Sequence, residues 1–448
     1  MKNLYLLMGG LLLSPVLSDA VRAESEGVVN VRLFEEEFTF GGCFYGVSEN
    51  GRYAVGHSRE FTALAFIWDR QTDEIKIIEG AYNNLSYAYA VANDGTVVGA
   101  YKDESVISRY GEPAIVPGKW RDGVWVPLER IPNSDLFGQG MDGEAKWISP
   151  DGRIIGGYVP NVGRKYVPAL WIDGVLQPYE GDPVEGQGSF VLTMSDDGAI
   201  WGGKAEFECG ATSAAIWRDN GKLTRVAGET WDWDVNEYFF YSDVSCISPN
   251  GKYACGTFVS DGVSDQRPFI WTEEGGTQYI AQSGACICIT DDGTTYGVNG
   301  FLGSGIIYKD GQITNLTAYL KDKYEYTDDG SIQYVLGVSK DQSLLAGWNV
   351  FNHAMGAIMK PALVFIDGIA NNIGSTKADY SVNIGVEGNV ISLFGETGNL
   401  EVKVYDAVGT CVGTFGAGQQ SLEIAGNGVF MVRISGSNGI MTRKVVIK

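Results

Sequence analysis

Histidine is nearly missing from this chain. Only His57 and His353 occur among 448 residues, so no histidine-rich metal centre can be assembled. Basic charge is also scarce: 33 Lys and Arg stand against 55 Asp and Glu, a formal net charge of −22. Such a field repels phosphate backbones, which argues against nucleic acid as a partner; the acidity itself serves solubility. Long apolar runs are missing after residue 23, so no transmembrane helix is expected in the mature chain. A Gly-x-Ser-x-Gly elbow, a phosphate loop and the twelve-residue EF-hand pattern are all lacking. No metal, no cofactor and no catalytic residue are expected.

What the chain has in quantity is glycine, 61 residues, and aromatic residues at 12%. They fall into a repeat. A Ser/Thr-x-Asp/Asn-Gly turn recurs at Ser48–Gly51, Ser149–Gly152, Ser195–Gly198, Ser248–Gly251 and Thr290–Gly293, with shorter or degenerate forms at Asn93–Gly95 and Ser339–Gln342. Each turn leads to a Gly, such as Gly56 or Gly156, that is expected to close the next strand. An aromatic–Asp stretch follows: Trp68-Asp69, Trp120–Gly123, Trp171–Gly174, Trp217–Asp219, Trp271–Glu273, Tyr308–Gly311 and Phe365–Gly368. Two hairpins per unit of roughly 48 residues predict four strands per unit. Seven such units make an all-β seven-bladed β-propeller over 28–370, with a stacked solenoid as the alternative. The segment Val29–Phe34 looks like a fourth strand without the preceding three and is expected to complete the last blade, removing exposed edges. The constant turns then crowd one face, and the variable loops build the other, where binding usually sits.

Residues 1–23 read as a secretory signal: Lys2, then an apolar stretch to Leu17, then small residues around Ala20 and Ala23. The chain is therefore expected to be exported, to the cell surface or beyond it. Residues 371–380 form a linker, and 381–448 carry about six short strands, a small immunoglobulin-like β-sandwich. The seven cysteines read mostly as buried thiols. Cys246 and Cys288 share one repeat position, held elsewhere by Gly46, Ala90, Thr193, Gly337 and, exceptionally, Trp147. A type I turn at Ser248–Gly251 is expected to pair Cys246 with Ala254, keeping it from Cys255. The disulfide status of Cys43, Cys209 and Cys286 is left open.

The repeats resemble the extracellular HAF-repeat family, on Ile148-Ser149-Pro150-Asp151-Gly152-Arg153-Ile154-Ile155-Gly156 and Ala65-Phe66-Ile67-Trp68. That resemblance implies an exported propeller-like fold. The C-terminal segment is similar to the type A sorting domain of the type IX secretion system of Bacteroidetes. The matching stretches are Val404–Gly409, Gly426–Arg433 and Thr442–Lys448. This implies secretion machinery as a partner through residues 381–448, and release or attachment at the cell surface.

Candidate chemistry is sparse. The acidic turns suit side-chain-to-backbone bonding better than calcium. His57 and His353 read as exposed loop residues of adjoining blades. The most suggestive segment is Trp231-Asp232-Trp233-Asp234 between blades four and five, with Tyr82, Tyr87 and Tyr89, Phe137, and Tyr319, Tyr324 and Tyr326 in equivalent links. Aromatics beside carboxylates suit stacking on sugars or docking of peptides. Tyr238–Tyr241 reads as core. The expected function is a non-catalytic recognition module for a glycan or a surface protein. The alternatives are a polysaccharide hydrolase or lyase using loop acids such as Asp232, Asp234 and Glu237, and a purely structural surface protein.

Overall fold

The computed structural model describes residues 28–34, 38, 41–59, 62–80, 85–108, 111–132, 134, 143–163, 165–181, 188–206, 212–218, 221–227, 241–259, 266–300, 303–326, 332–353, 356–367, 382–395, 400–406, 411–416, 418–436 and 439–447. The chain divides into two compact units, Met1–Ile369 and Ala370–Lys448.

The first unit is a series of four-stranded antiparallel meanders. The first comprises Gly42–Val47, Tyr53–Ser58, Ala65–Asp69 and Glu74–Ile78, paired in chain order. Five further meanders repeat this order, opening with Ser86–Val91, Glu144–Ile148, Ser189–Met194, Tyr241–Ile247 and Ala285–Ile289. The seventh has Tyr334–Val338, Leu344–His353 and Gly356–Asp367, and its outer strand is Val28–Leu33 from the N-terminus. That strand pairs antiparallel with the last one, Val29 facing Ile366 and Leu33 facing Ala362. Glu325–Tyr326 adds a short parallel edge beyond it.

Both hairpin signals have a physical account. In the first, Ser149 Oγ donates to Asp151 Oδ1 at 2.6 Å and accepts from the Ile154 amide at 2.9 Å. Asp151 Oδ1 accepts from the Arg153 amide, and Gly152 sits at φ 77°. Serine, aspartate and glycine therefore each supply one part of the turn. In the second, Asp122, Asp173 and Asp310 take φ near 50°, followed by Gly123, Gly174 and Gly311 at φ 93°, 85° and 78°. Two consecutive positive φ values are the type I′ geometry that matches strand twist.

Aromatic residues of the third strands fill the spaces between meanders. Trp68, Trp171 and Trp217 are fully buried, and truncating such a side chain typically costs about 3–5 kcal/mol. The apolar clusters run in sequence: first meander with second through Ile67 and Trp120, second with third through Val98 and Trp171. Trp147 packs with Trp217, Ile216 with Phe269, Cys255 with Cys286, and Ile307 with Val364. Leu344 and Leu363 of the seventh meander then pack on Phe44, Phe66 and Trp68 of the first. The result is a β-propeller-like ring.

Two local expectations are corrected. Cys246 faces Cys255, and Ile247 faces Ala254. The Ser248 carbonyl accepts from Gly251 while Ser248 Oγ takes the Tyr253 amide, which lengthens the loop by one residue and shifts the register. In addition, Leu316–Lys323 is an α-helix where only a link was expected. Asn315 caps it by accepting from the Ala318 amide, and the segment has a single β-branched residue to oppose helix.

In the second unit, the sheet of Asn383–Glu387, Val390–Phe394 and Ser421–Glu423 lies against one of Cys411–Thr414, Glu401–Tyr405, Gly428–Gly436 and Gly439–Ile447. Alternate residues such as Val402, Val404, Val432 and Ile434 enter a shared core with Ile391 and Phe430. This is a β-sandwich.

Candidate functional site: a channel ringed by seven bulged residues

The innermost strand of every meander lines one channel of about 220 Å³. Each of these strands carries a β-bulge at the same place. Register shifts occur between Phe44 and Gly46, Ala88 and Ala90, Ala145 and Trp147, and Val191 and Thr193. The same shift occurs between Val244 and Cys246, Cys286 and Cys288, and Val335 and Gly337. The extra residues are Tyr45, Tyr89, Lys146, Leu192, Ser245, Ile287 and Leu336, and all seven line the channel. A bulge re-aims a side chain that regular alternation would place elsewhere.

The glycine of each second strand makes the bulge fit. Gly56, Gly99, Gly157, Gly203, Gly256, Gly297 and Gly347 each pair with the residue just before a bulge. A Cβ at any of them would lie only 2.7–3.1 Å from a carbonyl carbon of the first strand. Only glycine tolerates that approach. These glycines do not end their strands, as expected from sequence; the strands run on, to Ser58 in the first meander and Ile107 in the second.

The channel has two unlike ends. Towards the Ser-x-Asp-Gly turns, neighbouring meanders are tied by hydrogen bonds: Lys340 N to Glu49 O at 3.0 Å, Asn50 N to Asn93 Oδ1 at 2.8 Å, and Asn250 N to Asp291 Oδ1 at 2.8 Å. Lys340 of the seventh meander pairs with Glu49 of the first and reaches within 3.9 Å of Asp196 on the fourth. Burial, with the Glu49 charge beside it, pushes the Asp196 carboxyl up to about 6. An ion cluster thus crosses this end.

The other end, on the variable-loop side, is aromatic. Tyr89 OH donates to Glu144 Oε1 at 2.7 Å, and Tyr158 OH donates to Glu144 Oε2. Lys146 Nζ lies 3.0 Å from Glu144 and 3.3 Å from the Tyr89 ring centroid. Burial alone would raise the Glu144 carboxyl, but Lys146 and the two hydroxyls outweigh it, and the group stays below its ordinary range. Glu144 is therefore a buried anion held by three donors. Burial, then the Glu144 charge, pushes the Tyr89 and Tyr158 hydroxyls up. His57 stacks on Tyr45 at 4.4 Å and meets Tyr87 and Tyr89 edge-on at 5.0 and 5.8 Å. Burial, then the Lys146 charge, lowers its imidazole to about 4, so it is neutral at pH 7, and its buried Nδ1 has no hydrogen-bond partner among the described residues.

No protein-family model and no curated protein matches this chain. Solved structures similar to it include an oligogalacturonate lyase in complex with manganese, at 8% identity and TM-score 0.44, covering 76% of this chain and 98% of that one. The β-propeller domain of the Trilobed protease from Pyrococcus furiosus matches at 12% identity and TM-score 0.42, covering 73% and 96%. A putative TolB from Agrobacterium tumefaciens matches at 14% identity and TM-score 0.37, covering 56% and 87%.

Of the aromatic residues singled out from sequence, Tyr89 lines the channel and Tyr87 packs beside it against His57, both from a strand and not from a link. Trp231, Asp232, Trp233, Asp234, Tyr82 and Phe137 lie outside the described residues, as does Glu237. Tyr324 ends the helix and is half-buried against the cluster joining the sixth and seventh meanders, so it is not an exposed stacking platform. The Tyr326 backbone pairs with Val29. His57 is not an exposed loop residue but a half-buried strand residue, because its strand continues past Gly56; His353 pairs with Gly356 at the tip of another hairpin. Cys43 and Cys286 are free thiols, whereas Cys209 lies outside the described residues. Among the described residues no group of three or more His, Cys, Asp or Glu is arranged to hold a metal ion. The ring residues other than Tyr89 escaped notice because they share no residue type. The signal that finds them is the glycine inside each second strand, paired with a neighbouring glycine at Gly156-Gly157 and Gly202-Gly203, which marks a bulge opposite.

Proposed function

We propose that the first unit is a seven-bladed β-propeller that works as an exported, non-catalytic recognition module. It holds the end of a glycan at the variable-loop mouth of its channel. The bulge ring carries this proposal. Seven repeats keep one backbone device, yet they present seven side chains that differ in chemistry: two tyrosines and a lysine on one arc, a serine, and three aliphatic residues. A purely structural array needs no such asymmetry. Rings and donors facing aliphatic walls suit an amphipathic ligand such as a sugar ring. The volume is below the roughly 300–1,000 Å³ of drug-sized sites, so one terminal residue enters, not a chain. Glu144, held ionised by three donors, has no proton to give and does not suit the general-acid role of a hydrolase.

The signal-like residues 1–23 and the similarity of 381–448 to a type IX sorting domain support export and display at the cell surface. The experiment is glycan-array screening followed by titration calorimetry on the parent, Tyr45→Ala and Ser245→Ala. Binding weakened at least tenfold by Tyr45→Ala supports the proposal. Binding only to proteins or to envelope preparations, or glycan binding indifferent to both substitutions, sinks it; glycan turnover would move the assignment to a hydrolase or lyase.

A further inference from the structure

The position after the bulge holds a small side chain in six of the seven meanders, Trp147 being the exception, and the structure shows why. A Cβ on Gly46 would lie 3.0 Å from the Ala90 Cα of the next meander, and one on Gly337 would lie 3.0 Å from the Val47 amide nitrogen. Thr193 Oγ1 follows the same direction and accepts from the Ile247 amide, one meander on, at 3.2 Å. Successive positions of this kind are thus nearly in contact around the channel. Only the fifth and sixth meanders put cysteines at two successive positions, Cys246 and Cys288. Cys246 Sγ points the same way: it lies 3.9 Å from the carbonyl oxygen of Ile289, the residue after Cys288. Both side chains line the channel, which gives a small oxidant a route.

We propose that Cys246 and Cys288 are a dithiol site that closes to a disulfide across two neighbouring meanders on the channel wall. At the equivalent Gly46 position a Cβ 3.0 Å from the Ala90 Cα would lie no more than about 4.5 Å from the Ala90 Cβ, within the separation of about 3.5–4.5 Å that the bond requires. The chemistry has a defined direction. A hydrogen bond from Cys288 holds the Cys246 thiol below its usual range, so Cys246 is the attacking sulfur. Its thiolate attacks a small disulfide such as 2-hydroxyethyl disulfide, forming a mixed disulfide and releasing one 2-mercaptoethanol thiolate. Cys288 then attacks Cys246 Sγ, loses its proton and releases the second. The dithiol is oxidised by two electrons and one hydroxyethyl disulfide is reduced to two thiols. Cys255 and Cys286 are poorer partners, because they do not line the channel and pack together in the core between the fifth and sixth meanders.

The test oxidises the native full-length protein with 2-hydroxyethyl disulfide and maps peptides by mass. The expected result is loss of two hydrogens, one cross-linked peptide pair containing residues 246 and 288, and a Tm raised by about 5 °C. Cys246→Ala and Cys288→Ala each abolish the link, and both should fold because Ala90 already occupies the equivalent position. Cys43→Ala leaves it intact. A link from Cys246 to Cys255, a stable mercaptoethanol adduct on Cys246, or two unreacted thiols would overturn the proposal.

Discussion

Replacing Gly99 by alanine tests the channel architecture most directly. Gly99 pairs with Ala88, opposite the bulge that carries Tyr89. An added Cβ would lie 2.8 Å from the Tyr87 carbonyl carbon and 3.2 Å from the Ala88 Cα. Both are backbone atoms, so no rotamer change relieves the overlap; the strands must part or the bulge must flatten. Overpacking of this kind costs about 3 kcal/mol. A less flexible unfolded chain offsets about 0.4–1 kcal/mol of that, leaving about 2–3 kcal/mol. At roughly 2–4 °C per kcal/mol the melting point falls by about 4–12 °C. Circular dichroism in the far and near ultraviolet reads both the transition and the tyrosine environment. Gly163→Ala is the control: its nearest neighbour would be Asn161 Oδ1 at 3.4 Å, and it should change stability by less than about 0.5 kcal/mol. If Gly99→Ala melts with the parent, the glycines are not there for the bulges and the reasoning fails.

Further outcomes follow from the same contacts. Lys146→Met strands the Glu144 charge and should cost about 3 kcal/mol in denaturant unfolding, whereas Lys146→Met with Glu144→Gln should recover most of it; additive losses would deny the coupling. His57 has a folded-state pKa near 4 against 6.5 unfolded, so the unfolded chain binds the proton first and stability falls, by up to about 3 kcal/mol, as pH drops from 6.5 to 4. Asp196, raised from 3.8 to about 6, has the opposite sign, its stabilisation fading as pH rises through that window. Acid titration of stability should therefore flatten in His57→Gln and steepen in Asp196→Asn, and the same slope in both would refute the assignment. Ser149→Ala removes the acceptor for the Ile154 amide inside a buried turn and should cost about 1–2 kcal/mol by urea denaturation.

Much of the fold was legible because the repeat imposes the same local chemistry seven times. Ser-x-Asp-Gly and Asp-Gly each demand a specific backbone, so the hairpins could be placed from residue type alone. The helix Leu316–Lys323 was not, since a lone eight-residue helix in an all-β repeat carries no periodic signal of its own. The Cys246 register was missed for a related reason: the Ser248 hydroxyl replaces a carbonyl in the turn, and loop length depends on which acceptor wins. The channel ring lay deeper. Tyr45, Lys146 and Leu336 have nothing in common as side chains, so only the backbone unites them, and the residue that reveals the backbone is the glycine on the neighbouring strand.

The seventh meander mixes both ends of this unit, Val29 lying against Ile366. A ribosome that adds roughly 5–20 residues per second needs about 20–70 s to travel between those two positions. Throughout that interval the ring has no last strand, and the outer edge of Gly356–Asp367 does not yet exist to receive Val28–Leu33. Synthesis order and closure order therefore oppose each other. Export in an unfolded state, as proposed above, would gain from this arrangement, because the ring cannot lock before its own late residues have emerged.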